Sequence, residues 1–232
     1  MPQVAGLARW VAVSSPHLLD VADPQSDEYA DHIAEAVRAL GDGRLAVIPT
    51  DTVYGIAADA FSHDAVGALL AAKGRGRDYP VPVLVGDPGV LHGLVSLAPE
   101  SASALTRNFW PGALTVIVRY APSLAWDLGD TAGTVAVRMP DSPVALEVLR
   151  KTGPLAVSSA NKHGRPPGRT AALAAEQLGD TVDVYLEAGE VSGGQPSTIV
   201  DCTGERAVVV REGGVTLAEI KRLLPTAISA GA

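Results

Sequence analysis

The sequence predicts an α/β domain with a central, largely parallel or mixed sheet. Three observations carry that expectation. Short apolar, strand-like runs alternate with helical patterns along most of the chain. Polar stretches directly follow several of those runs: TDTVYG, RMPDS and SSANKHGR. In open α/β sheets ligands sit beyond the carboxyl ends of strands, where such stretches would lie. Finally, no internal repeat, low-complexity tract or clear linker breaks the pattern.

The elements follow in order. SDEYADHIAEAVRALG reads as the first helix, with Ser26 as cap, Asp27 and Glu28 in the first turn and Gly41 as the stop. Ile33, Val37 and Leu40 share one face of it. RLAVIPT, residues 44–50, is a short buried strand. Asp64 to Lys73 is a helix with Val66, Leu69 and Leu70 inward, and VPVLVGD is a strand again. Pro99 to Asn108 is helical, and Phe109-Trp110-Pro111-Gly112 is a turn. ALTVIVRY and GTVAVRM are strands, Pro143 to Lys151 a helix and PLAVSS a strand. Residues 161–169 form a loop rich in glycine, proline and cations. Thr170 caps a helix to Leu178, and strands follow near Val184, Ile199 and Val209. Thr216 and Glu219 make a capping box for the last helix.

Composition bounds the function. The chain has 232 residues, 47% hydrophobic and 19% charged, with a formal net charge of -8. That length supports one large domain with a real core. The acidic balance opposes non-specific binding to nucleic acid or anionic membranes while leaving room for a local basic cleft. Cys202 is the single cysteine. No intrachain disulfide or cysteine-based zinc site is therefore possible, which suits a reducing, cytoplasmic setting. No run approaches the ~18 apolar residues of a membrane helix. In the first twenty residues Ser14, Ser15 and Pro16 cut the apolar stretch short, so residues 1–25 read as a loose N-terminal extension rather than a secretion signal. Residues 26–224 read as the folded domain and 225–232 as a tail.

The familiar nucleotide motifs are missing. There is no G-x-x-x-x-G-K-[ST], and Tyr79 stands where a third glycine would complete the G-x-G of Gly74 and Gly76. Neither H-E-x-x-H nor G-x-S-x-G occurs.

What remains is a set of polar clusters, each with a plainer reading. Lys73, Arg75 and Arg77 in KGRGR supply charge-assisted donors beside flexible glycines, or form a solvated helix end. Thr50, Asp51, Thr52 and Tyr54 follow a strand and can orient a small polar ligand, or close a turn. Ser158, Ser159 and Asn161 can hold phosphate oxygens, or belong to a proline-stiffened loop. Arg138, closing a strand, is a fork for a carboxylate or one half of a salt bridge, and Arg211 before Gly213-Gly214 is equally open.

Taken in order, P-T-D-T-V-Y-G, K-G-R, W-P-G-A-L-T, V-A-V-R-M-P, S-S-A-N, P-S-T-I-V-D and R-E-G closely resemble the YrdC-like family of threonylcarbamoyl-adenylate synthases. The likeness runs from about residue 26 to about 224. It implies a twisted, open α/β sheet with a concave, positively charged cleft, in the family's single-domain form. It implies synthesis of threonylcarbamoyl-AMP and pyrophosphate from L-threonine, bicarbonate and ATP. A separate complex then transfers the threonylcarbamoyl group to tRNA.

The K-x-R pair falls on Lys73 and Arg75, and the S-x-N pair on Ser159 and Asn161, so these four are expected to hold the phosphates and carry catalysis. Arg77, Thr134 and Arg211 join the nucleotide-contacting set. Thr50, Tyr54, Arg138 and Ser197 match the threonine pocket. Magnesium is expected to arrive with ATP, held by phosphate and water rather than by a protein site.

Two positions depart from the family pattern. Gly76 stands where proline is common, and Val81 where leucine is. Two other readings compete: a non-catalytic RNA-binding module using the same cleft, and a carbamoyl-transfer relative. The negative net charge and 4% aromatic content oppose the first, since RNA readout leans on stacking. The second kind carries zinc-finger and acylphosphatase-like regions that have no counterpart here.

Overall fold

The computed structural model describes residues 16–191 and 195–230. Helix starts follow local capping chemistry. Ser62, Ser142, Thr170 and Thr216 each accept a backbone N–H at the head of a helix: α2 (His63–Lys73), α5 (Pro143–Thr152), α6 (Ala171–Leu178) and α7 (Leu217–Leu223). Thr216 and Glu219 complete the expected capping box. α1 (Tyr29–Gly41) begins later than expected. Ser26 is spent in a turn, its carbonyl accepting from the Tyr29 N–H, and Gly41 lies inside the helix. Gly43, at φ 76°, makes the stop instead. α3 (Val90–Leu94) and α4 (Glu100–Phe109) complete the helices.

Eleven strands form one mixed sheet. They are β1 (Leu18–Asp20), β2 (Ala46–Ile48), β3 (Gly55–Asp59), β4 (Val83–Leu84), β5 (Leu114–Arg119), β6 (Thr134–Arg138), β7 (Leu155–Ser159), β8 (Val184–Glu187), β9 (Thr198–Asp201), β10 (Val208–Arg211) and β11 (Ile228–Ser229). Their order is β1-β8-β2-β3-β7-β4-β6-β5-β9-β10-β11. Parallel and antiparallel pairs alternate irregularly, as in β4 parallel to β6 but antiparallel to β7.

Two terminal segments carry more structure than the sequence suggested. β1 pairs in parallel with β8 (Leu18 opposite Tyr185), and Leu19 and Val21 are buried. The ordered domain therefore begins before residue 26; residues 1–15 of the expected extension lie outside the described residues. At the other end β11 pairs with β10, so residues 228–229 belong to the sheet and not to a tail.

Strand alternation divides the core between two faces. On one, α1 and α5 pack through Ile33, Ala36, Leu40, Ala145, Val148 and Leu149 against Ile48, Ala57, Leu84, Leu155 and Val157. Each large aliphatic side chain buried there contributes about 1.5–3 kcal/mol. The other face buries Val47, Ile56, Val83, Val137 and Ala156 with α2, α4, α6 and α7.

Cross-strand pairing extends the first face beyond those two helices. Gly55 opposes Ser159, Leu84 opposes Arg138, Thr115 opposes both Arg138 and Ile199, and Ile199 opposes Arg211. Directly paired residues share a face. These therefore floor a strip of sheet that α1 and α5 leave open. The site lies across a sheet face rather than only beyond strand ends. The physical reason is the mixed topology, which points the ends of β6 and β7 in opposite directions along their shared neighbour β4.

Candidate functional site

A cleft of roughly 390 Å³ occupies this strip. Gly55, Leu84, Thr115, Arg138, Val157 and Ser159 line its floor, and Thr50, Thr52, Arg75, Ser158, Ser197 and Arg211 line its walls. Three guanidinium groups and several hydroxyls converge, and no carboxylate lies among the lining residues described. Such a surface suits an anion with further oxygen acceptors. Gly55 is needed here, because a Cβ would stand 2.6 Å from Val157 Cγ1.

Arg138 is nearly buried, at 7% exposure. Its Nε donates to the Gly112 carbonyl (2.9 Å), Nη1 to Thr52 Oγ1 (2.9 Å) and Nη2 to Asp51 Oδ1 (2.6 Å). One N–H on each Nη is left over. Burial draws the guanidinium below its ordinary range, and Asp51 opposes that shift. Thr50 Oγ1 donates to the Val53 carbonyl (2.5 Å) and accepts from the Val53 N–H (3.2 Å), which fixes the turn carrying Asp51 and Thr52.

The opposite wall is a relay of hydroxyls. Ser197 Oγ lies 2.9 Å from Thr115 Oγ1, and Arg211 Nη2 donates to the Ser197 carbonyl (2.7 Å). Burial, then the Arg138 charge, lowers Arg211 from its ordinary range. Two guanidiniums that repel each other across a cleft both gain from an anion between them.

At the third side Arg75 donates from Nη1 to Ser158 Oγ (3.2 Å) and from Nε to His163 Nδ1 (3.1 Å), and packs over the Tyr79 ring at 5.3 Å. Gly74 at φ 67° ends α2 and turns Arg75 toward the cleft.

The structure thus brings Thr50, Arg75, Arg138, Ser159, Ser197 and Arg211 together on one cleft. Lys73 and Asn161 lie behind the wall, both buried. Lys73 Nζ donates to the carbonyls of Ser159 and Asn161, the latter at 2.8 Å. Asn161 Nδ2 donates to the carbonyls of Lys162 and Arg165.

Three expected contacts fall off the cleft. Arg77 is exposed and held bidentately by Asp127 (2.7 and 2.8 Å), with Asp130 at 3.4 Å. Thr134 starts β6 at the end away from Arg138, its hydroxyl donating to the Thr131 carbonyl (2.8 Å). Tyr54 is fully buried. Its hydroxyl sits 2.7 Å from the Gly189 carbonyl oxygen and 2.9 Å from Glu187 Oε1, and burial raises its pKa.

Sequence reading left Thr115 out of the site, though it sits inside the quoted W-P-G-A-L-T stretch, and it named Ser158 only as one hydroxyl of the S-S-A-N cluster. It saw Asp51 and Thr52 but not their bond to Arg138.

Among the described residues no three carboxylate, histidine or cysteine side chains gather as a metal cage, and no helix is long and apolar enough to cross a membrane.

Comparison with known proteins identifies the family. The Sua5/YciO/YrdC family model, described as Telomere recombination, matches residues 38–213. A Mycobacterium tuberculosis protein, provisionally named as a threonylcarbamoyl-AMP synthase, is 55% identical over 205 residues, covering 88% of this chain and 94% of its own. The Bacillus subtilis threonylcarbamoyl-AMP synthase is 38% identical, covering 89% of this chain and 58% of that one. Pyrococcus abyssi Sua5, solved in complex with L-threonine, superposes with a TM-score of 0.85 at 32% identity, over 93% of this chain and 63% of that one. Escherichia coli YciO, at 23% identity and a TM-score of 0.77, shares the fold. The chain belongs to the Sua5/YciO/YrdC family.

Proposed function

We propose that the protein is a threonylcarbamoyl-AMP synthase, a nucleotidyltransferase that joins L-threonine, bicarbonate and ATP with release of pyrophosphate. The observation that carries this reading is the convergence of Arg75, Arg138 and Arg211 on one hydroxyl-lined cleft without a carboxylate. The likeness to a Sua5 solved with L-threonine supports the amino acid as substrate.

The two remaining N–H groups of Arg138 suit the threonine carboxylate, with Thr115 and Ser197 supplying hydroxyls around it and Thr50, whose proton goes to the Val53 carbonyl, shaping the pocket wall. The threonine amine takes up CO₂ to give a carbamate, and bicarbonate is the source of that CO₂ with loss of water. A carbamate oxygen then attacks the α-phosphorus of ATP, and the bond from α-phosphorus to the bridging oxygen breaks as pyrophosphate leaves. The chain's contribution is positioning and fixed positive charge, the main tools for phosphoryl and nucleotidyl transfer. Arg75 and Ser159 face the phosphates on one side and Arg211 on the other. The cleft wall offers no carboxylate to a metal. Magnesium entering with the triphosphate is held by phosphate and water, and no step above runs through it.

The reading carries a cytoplasmic location and hand-over of the product to a separate tRNA threonylcarbamoyltransferase complex. It is tested by pyrophosphate release with threonine and bicarbonate added singly and together. Release that needs both supports it. Release indifferent to threonine overturns it, and a steep salt dependence of RNA binding without turnover would favour the RNA-binding alternative.

A further inference from the structure

Lys73 differs from every other cation of the site. It is 1% exposed, at the last residue of α2. Its Nζ meets two main-chain carbonyls, those of Ser159 and Asn161, and no carboxylate. Its own carbonyl accepts from the His163 N–H (2.9 Å), so the turn after β7 is tied to α2 in both directions.

The charged and titratable groups on the elements around it are Arg75 on its own turn, Arg77, Asp78 and Tyr79 just beyond, with Asp78 folded back beside Gly76, and Lys162, His163 and Arg165 on the loop that it holds. Tyr54 approaches from the start of β3, its carbonyl accepting from Ala160. Asp51 is engaged with Arg138 and Glu187 with Tyr54, and neither recorded partner of Lys73 Nζ is a carboxylate. A buried ammonium with only neutral acceptors and a like charge beside it lacks a counter-charge.

We propose that Lys73 is a positioning residue that takes up a proton when the nucleotide enters, and that its ammonium then tightens the Ser159–Asn161 turn against the phosphates. The inference rests on the nucleotide reading above. In the free protein the amine shares its site with Arg75 and no anion. A triphosphate against Arg75 and Ser159 brings about four negative charges within a few ångströms of it. That charge favours the protonated form, and the ammonium holds both carbonyls more strongly than a neutral amine does. Burial, then the Arg75 charge, brings Lys73 from its ordinary 10.5 down to about 7 in the free protein, in line with the geometry.

Asn161 fits the same picture. Its amide nitrogen is committed to two loop carbonyls, and its buried Oδ1 has no partner among the described residues. The S-x-N asparagine thus shapes the turn from beneath, next to the lysine, instead of donating to phosphate.

The test is calorimetric titration of the full chain with the α,β-methylene analogue of ATP and magnesium. It is run near pH 8 in two buffers of different ionisation enthalpy, for the wild type and Lys73→Met. Uptake approaching one proton per nucleotide in the wild type, absent in the variant, supports the proposal. Equal proton numbers in the two overturn it. Failure of the wild type to bind the analogue overturns the nucleotide reading and this inference together; binding without the proton difference sinks only the inference.

Should Lys73→Met fail to fold or bind, the wild type answers alone. It has four lysines, at positions 73, 151, 162 and 221, so their ¹³Cε resonances are easily separated. A Lys73 midpoint that the analogue raises from near 7 to above about 9 supports the proposal. A midpoint that the analogue leaves unmoved overturns it.

Discussion

Arg138 Nη2 lies 2.6 Å from Asp51 Oδ1, and the same Asp51 oxygen accepts the Asp141 N–H at 3.1 Å. Asp51 thus ties the loop after β2 to the end of β6 and fixes the plane of the guanidinium. It also neutralises part of the Arg138 charge. What Arg138 offers the cleft is a fixed fork more than a net charge.

Lysine cannot reproduce that geometry. Arg138→Lys keeps the charge and loses the fork. The threonine KM is expected to rise about tenfold or more, the loss of roughly 1.4 kcal/mol, while the ATP KM stays within about twofold. Steady-state kinetics with each substrate varied in turn checks this. Equal rises in both constants would place Arg138 outside the amino-acid pocket.

Gly213 tolerates no side chain. A Cβ there would stand 2.0 Å from the Pro196 carbonyl oxygen, on the segment that carries Ser197. Backbone cannot swing aside as a flexible side chain does. Gly213→Ala is expected to cost about 2 kcal/mol or more in urea unfolding and to displace Ser197 and Arg211. Wild-type stability in the variant would show that the segment yields freely.

Removal of residues 1–23 deletes β1 and with it the buried Leu19 and Val21. Exposing the strand's neighbours should cost about 3 kcal/mol, lowering Tm by several degrees. A chain starting at Pro16 serves as the control. Thermal denaturation of the two separates the contribution of β1 from that of the residues before it.

Stability should follow pH with two opposed slopes. Lys73 sits near 7 in the folded chain and at its ordinary 10.5 when unfolded. Between those values the unfolded chain binds more protons, so stability rises with pH. Cys202 behaves the other way. Burial pushes its thiol up to about 11 from 9.0, so the stability it contributes is full below pH 9 and lost as pH climbs through 11. Urea midpoints should climb between pH 7 and 9 and turn over above, as Tyr29, pushed up to about 12, adds to the decline. In Lys73→Met the climb should vanish. A climb that persists would assign it to another group.

Much of this was legible in the sequence because it was local. The Thr170 cap and the Thr216–Glu219 box depend on residues three apart, and both are present. The ordered motifs likewise named six residues that do share the cleft. What escaped was short or distant. β1 and β11 are three and two residues long, too short for any alternation to register. β3, GIAAD, is built mostly of small residues with weak strand preference, and its pairing with β7 along all five residues holds it in the sheet. The partners Arg138 and Asp51 are 87 positions apart. Lys73 follows a helical run and precedes Gly74, which reads as a solvated end. Only the fold reveals that the turn after β7 closes over it.

The cleft draws its walls from residues as early as Thr50 and as late as Arg211. A nascent chain still emerging from the ribosome therefore owns at most part of the site, because Ser197 and Arg211 come last. Substrate capture becomes possible only once β10 has joined the sheet, so occupancy reports on complete synthesis. The converse holds for turnover in the cell. A ligand at a hundred times its Kd adds about 2.7 kcal/mol to the folded state. Because the lining runs across the sheet from β3 to β10, that protection is shared by the strands between them and not confined to a loop.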